Sequence, residues 1–107
     1  MKNLGLPPVP PGLSEEAATF WKQITGTWKL EDSSLLILRT ACEALDELRA
    51  AQNLIKAEGM TVKDRWDQIK PHPAVAIVRD SRMVLLRYIK QLGLDLEPIG
   101  EVGRPRS

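Results

Sequence analysis

The chain has 107 residues, with 15 Lys and Arg against 14 Asp and Glu and one His, for a net charge of +1. That length is one domain's worth, and a chain this short often gains extra stability from association with other copies. A lone cysteine, Cys42, excludes an internal disulfide and a cysteine-cluster zinc site and points to a reducing compartment. No run approaches the ~18–20 apolar residues that span a bilayer, and the N-terminus has no apolar stretch like that of a signal peptide.

In chain order, residues 1–13 hold Pro7, Pro8, Pro10 and Pro11, which exclude a helix and predict an extended arm. Ser14 is a good N-cap, and Glu15 and Glu16 suit the positive end of a helix dipole. Ala17, Phe20, Trp21, Ile24 and Trp28 recur at helical spacing, so a first helix is expected from Ser14 to about Trp28. Asp32 is the next N-cap candidate. Residues 33–58 contain neither Gly nor Pro, and Leu38, Ala41, Leu45, Leu48 and Ile55 form one apolar stripe. They predict a helix of about 40 Å that Gly59 ends. A helix this long in so small a chain usually packs against a long partner or another copy of itself.

Residues 60–70 have no clear period, and a loop and a short hairpin both fit. His72 then precedes Pro73, the expected opening of a third helix that runs to Leu92 and stops at Gly93. Ile77, Val78, Val84, Leu85, Tyr88, Ile89 and Leu92 share its apolar face, while Arg79, Arg82, Arg87 and Lys90 gather opposite, with Asp80 at their edge. Residues 95–107 are expected to form an irregular, flexible tail. The reading is therefore a mainly α fold in which a short first helix precedes a hairpin of two longer ones. An arm (1–13), a helical domain (14–94) and a tail (95–107) follow one another.

A search for catalytic chemistry finds no constellation. The glycines are scattered and form no phosphate-cradling loop. His72 has no second histidine or cysteine with which to share a metal, and it reads as a cap or turn residue. Cys42 reads as a packing residue, and the pair Glu43 and Glu47 as a solvated helix face. No enzyme, cofactor or metal is expected. Trp21 and Trp28 read as core; Trp66 reads as packing its loop onto the helices, with a nucleic-acid contact as the sharper alternative.

Charge is unevenly spread. Residues 59–107 carry nine basic and six acidic side chains, whereas residues 32–58 carry three and five. This asymmetry, concentrated on the basic face of the third helix, suggests an anionic partner. A single copy would hold DNA weakly, and a repeated patch would hold it well, because counterion release scales with the phosphates neutralised.

Several segments, taken in order, resemble one family. They are the proline-rich start, Ala18-Thr19-Phe20-Trp21-Lys22, Leu30-Glu31-Asp32, the long Leu/Ala helix, Gly59-Met60-Thr61, His72-Pro73-Ala74-Val75 and Gln91-Leu92-Gly93-Leu94. The set is similar to the small subunit of tailed-phage terminases over most of residues 15–97. That resemblance implies a non-enzymatic protein of the host cytoplasm, without a membrane, that recognises double-stranded viral DNA. It also implies regulation of the ATPase and nuclease of a large subunit, and assembly of a homo-oligomeric ring of about eight to eleven copies. On this reading Arg79, Arg82, Arg87 and Lys90 face DNA or a neighbouring subunit, and Lys63, Arg65 and Lys70 are secondary DNA contacts. Arg104 and Arg106 touch DNA or dock on the large subunit. The alternative is a helical protein–protein adaptor without DNA binding, in which the basic face pairs with acids of the second helix of a neighbour.

Overall fold

A computed structural model describes residues 5–93 and, for the backbone alone, Gly103–Pro105. Its helices are α1 (Glu15–Thr27), α2 (Asp32–Glu58) and α3 (Pro73–Leu92), and its short strands are β1 (Trp28–Leu30), β2 (Thr61–Lys63), β3 (Ile69–Pro71) and β4 (Gly103–Pro105). The expected mainly helical fold, with the long central helix packed on the C-terminal one, is what the structure shows.

Each helix starts and stops for a local reason. Ser14 caps α1 by accepting the Ala17 N–H at 3.1 Å, and its own N–H and hydroxyl both donate to the Asp46 carboxylate of α2. The Arg49 guanidinium of α2 grips Glu16 of α1 with bonds of 2.9 and 3.0 Å and holds that carboxyl below its ordinary range. The α1–α2 angle is thus fixed at two points by side chains of the first turn of α1. Between these helices, Trp28 leaves the helical path and becomes the first residue of β1. Asp32 is the first residue of α2 rather than its cap; Glu31 occupies the cap position and makes no side-chain cap bond. Gly59 ends α2 with φ at 93° and Gly93 ends α3 with φ at 72°, a backbone region in which a Cβ would be strained.

The core joins α1, α2 and the end of α3. Ala17, Trp21, Leu38, Cys42, Leu45 and Leu92 are buried together. The arm contributes to it: Val9 and Leu13 pack on this cluster, and Trp21 Nε1 donates to the Pro7 carbonyl at 3.3 Å. Burial pushes the Cys42 thiol up to about 12, reinforced by the nearby Asp46 and Glu43 charges, which leaves it a packing group whose Sγ lies 3.6 Å from the Ala17 carbonyl oxygen. The apolar face of α3 is less well covered. Leu92 is buried, but Val78, Val84, Leu85, Tyr88 and Ile89 are half-buried and Ile77 is exposed.

Two segments depart from the helical plan. Residues 60–71, for which loop and hairpin were both open, form an antiparallel hairpin with Thr61 opposite Pro71 and Lys63 opposite Ile69. The tail, expected to be irregular, includes β4, whose Arg104 pairs in register with Lys29 of β1. Strand pairing there follows from the three extended residues that β1 leaves without a neighbour. The rest of the tail, Arg106 included, lies outside the described residues.

Candidate nucleic-acid and assembly surfaces

The hairpin is joined to the helices by His72. Its Nδ1 accepts the Ala74 N–H at 2.9 Å, which caps α3, and its Nε2 lies 2.7 Å from the Glu58 carboxylate at the end of α2. Since Nδ1 is the acceptor, the ring proton sits on Nε2 and is donated to Glu58. The backbone N–H of His72 closes the junction on the Met60 carbonyl at 2.8 Å. The cap-or-turn role read from His72-Pro73 is therefore the one observed.

Asp64 organises the hairpin tip. One carboxylate oxygen accepts the Trp66 N–H at 2.8 Å and the Gln68 N–H at 2.9 Å, and the other lies 3.4 Å from Lys70 Nζ. The Gln68 bond is the main cause that lowers the Asp64 carboxyl from its ordinary range. Asp67 adopts φ of 64° to complete the turn, and its carboxylate lies 3.5 Å from Lys63 Nζ. Lys63 and Lys70, both candidates for DNA contact, are thus ion-paired within the hairpin. Arg65 is not; its guanidinium lies 4.7 Å from the centre of the Trp66 ring.

Trp66 does not pack the hairpin onto the helices as expected. It is 66% exposed, and Met60 and Ile69 are equally open. It lies in the five-residue turn between β2 and β3, with the Arg65 guanidinium over its ring.

On α3, Arg79, Arg82, Arg87 and Lys90 are all exposed. Arg79 pairs with its neighbour Asp80 at 3.1 Å, whereas Arg82, Arg87 and Lys90 have no ion-pair partner among the described residues. The face is not purely cationic. Met83 and Leu86, 54% and 59% exposed, stand between the arginines, a feature legible from the helical spacing but obscured by attention to charge alone. On a second surface the acids of α2 were legible in the sequence, but the apolar groups beside them were not. The outward side of α2 carries exposed Leu36 and Leu54 with Glu43 and Glu47 between them. Beside it, Glu47, Ala50, Ala51 and Leu54 of α2 and Ile77, Asp80 and Ser81 of α3 line a groove of about 500 Å³.

Among the described residues no group of His, Cys, Asp and Glu has a metal-binding arrangement, and no helix is long and apolar enough to cross a membrane. No curated protein and no solved structure matches the chain. A family model does match, over residues 17–105, from the first turn of α1 to the end of β4, and its description is phage terminase, small subunit. With that match spanning all three helices and the hairpin, the chain belongs to the phage terminase small subunit family.

Proposed function

We propose that the protein recognises double-stranded viral DNA in the host cytoplasm and regulates the ATPase and nuclease of the terminase large subunit during genome packaging. It carries no catalytic centre of its own and acts as an assembly of several copies. The observation that carries this reading is the family match over residues 17–105. Two structural features support it: the uneven charge, and an apolar face of α3 that one copy leaves half-covered.

The DNA contact is proposed for the hairpin end of the molecule. Arg65 with the stacked, exposed Trp66 forms the tip, Lys63 and Lys70 lie on its two strands, and Arg79 follows beyond the His72 junction in the second turn of α3. Lysine and arginine side chains neutralise phosphates, and an aromatic ring beside a guanidinium offers a surface to sugar or base edges. The ion pair of Lys63 with Asp67 is exposed and weak, so that ammonium can exchange its carboxylate for a phosphate at small cost, whereas Asp64, the partner of Lys70, is only 15% exposed and holds its ammonium more firmly. One tip holds DNA weakly. Several tips on one assembly add their contacts. Arg104, on the strand paired to β1, and Arg106 are proposed to dock on the large subunit.

The test is competitive recovery of fragments of the cognate phage genome. The fragment that contains the packaging start should be enriched, and Arg65→Glu with Trp66→Ala should abolish recovery of all fragments. Recovery that is uniform across the genome would contradict recognition, and recovery unaffected by the double substitution would remove the hairpin from it.

A further inference from the structure

We infer that the basic, apolar ridge of α3 docks on the acidic, apolar face of α2 and its adjoining groove in a second copy of this chain. The inference rests on the multi-copy reading above and names the surfaces that would build the assembly.

Three observations carry it. The first is chemistry. The ridge offers exposed Met83 and Leu86 among Arg82, Arg87 and Lys90, none of which has an ion-pair partner among the described residues. The α2 face offers exposed Leu36 and Leu54 with Glu43 and Glu47, and the groove adds Ile77 and Asp80. Apolar groups meet apolar groups and cations meet carboxylates.

The second is register. Glu58 stands level with His72, and the groove sets Ala51 beside Asp80 and Ser81. Both helices rise about 1.5 Å per residue in opposite directions. Glu47 is therefore level with Met83 to Leu85, one to three residues past Arg82, and Glu43 is level with Arg87 to Ile89. Copies placed side by side with their helix pairs parallel bring these carboxylates within one helical turn of the long Arg82 and Arg87 side chains without sliding.

The third is geometry. Ridge and face lie on different helices and point in different directions, so the contact is heterologous: each copy uses its ridge on one neighbour and its face on the other. Repetition about an axis parallel to the helices closes into a ring when the rotation per copy divides a full turn, and it covers Leu36, Leu54, Met83 and Leu86, which one copy leaves exposed. The hairpins, at one end of every helix pair, would then lie in a single row.

Sedimentation velocity on the full chain tests this with two charge reversals. Glu43→Lys with Glu47→Lys, and separately Arg82→Glu with Arg87→Glu, should each weaken self-association on the order of tenfold or more, because like charges then face one another. An equal mixture of the two variants should regain assembly, since each reversed surface meets its complement on the other chain. Wild-type protein that sediments as a single copy would overturn this inference and the multi-copy reading together. Wild-type assembly that both variants retain would overturn this interface alone. A cross-link guards against misfolded variants: copies with Glu47→Cys mixed with copies with Met83→Cys should form an inter-chain disulfide under mild oxidation. Its absence from an assembled sample would also overturn the interface.

Discussion

Replacement of His72 by alanine probes the junction on which the geometry of the hairpin depends. His72 makes two side-chain bonds: Nδ1 accepts the Ala74 N–H at 2.9 Å, and Nε2 donates to Glu58 at 2.7 Å. Loss of a helix N-cap costs about 1 kcal/mol. The Glu58 bond is worth less than a buried charged pair, because the Glu58 side chain is 56% exposed, and about 0.5–1 kcal/mol is a fair value. Together they predict a loss of about 2 kcal/mol, which lowers Tm by roughly 8 °C or more for a domain of this size. His72→Asn keeps an acceptor near the Ala74 N–H but cannot reach Glu58, so it should recover about half of that loss. Thermal melts at one fixed protein concentration measure this, since association would otherwise shift Tm by mass action. A His72→Ala protein within ~0.5 kcal/mol of wild type would refute the view that this residue joins α2, the hairpin and α3.

Cys42 is fully buried and its thiol is pushed up to about 12, so alkylation near pH 8 should be on the order of a thousandfold slower in the native protein than in denaturant. Native labelling at the denatured rate would show that the α1–α2 core is open. The hairpin turn should weaken in acid. Asp64 has a lowered carboxyl, so its support is fully present above the ordinary carboxylate range and disappears as pH falls through its own lower value. Exchange of the Trp66 and Gln68 amides should therefore accelerate, beyond the chemical trend, only as pH falls below the ordinary carboxylate value of about 4; protection that stays unchanged in strong acid would contradict the role given to Asp64.

The caps were the most legible part of the fold. Ser14, Gly59, His72 and Gly93 are local signals, since each acts within one helical turn of its position, and all four stand where the sequence placed them. Asp32 shows the limit of that logic: a good capping residue was present, yet the chain entered the helix one residue earlier and left the cap to Glu31. The pairing of β1 with β4 had no local signature, because it joins residues more than 70 positions apart and depends on where the helices bring the ends of the chain. Residues 60–71 were ambiguous for a related reason. Their strands have three residues each and no buried face, so they carry no period; Asp64 and the ends of the two helices define the hairpin instead.

The candidate surfaces were half legible. Helical spacing placed the four cations of α3 on one face, but only the structure separates Arg79, paired with Asp80, from Arg82, Arg87 and Lys90, which have no such partner among the described residues. The exposure of Trp66 could not be read from sequence, because an aromatic in an irregular segment is as compatible with core as with surface. Nor could the heights of Glu43 and Glu47 relative to Arg87 and Arg82, which require the register of α2 against α3.

The central claim is that the protein binds duplex DNA through the combined hairpins of several copies, and retention of duplex DNA across rising salt tests it most directly. One copy offers Lys63, Arg65 and Lys70 on its hairpin and Arg79 in the second turn of α3, which limits the slope of log K against log salt to about −3.6 at roughly 0.9 per phosphate neutralised. The account predicts retention near 50 mM salt with a slope steeper than about −4, and loss of that steepness when Arg65 is replaced by Glu. No retention even near 50 mM salt, or a slope that one copy can supply, would contradict it.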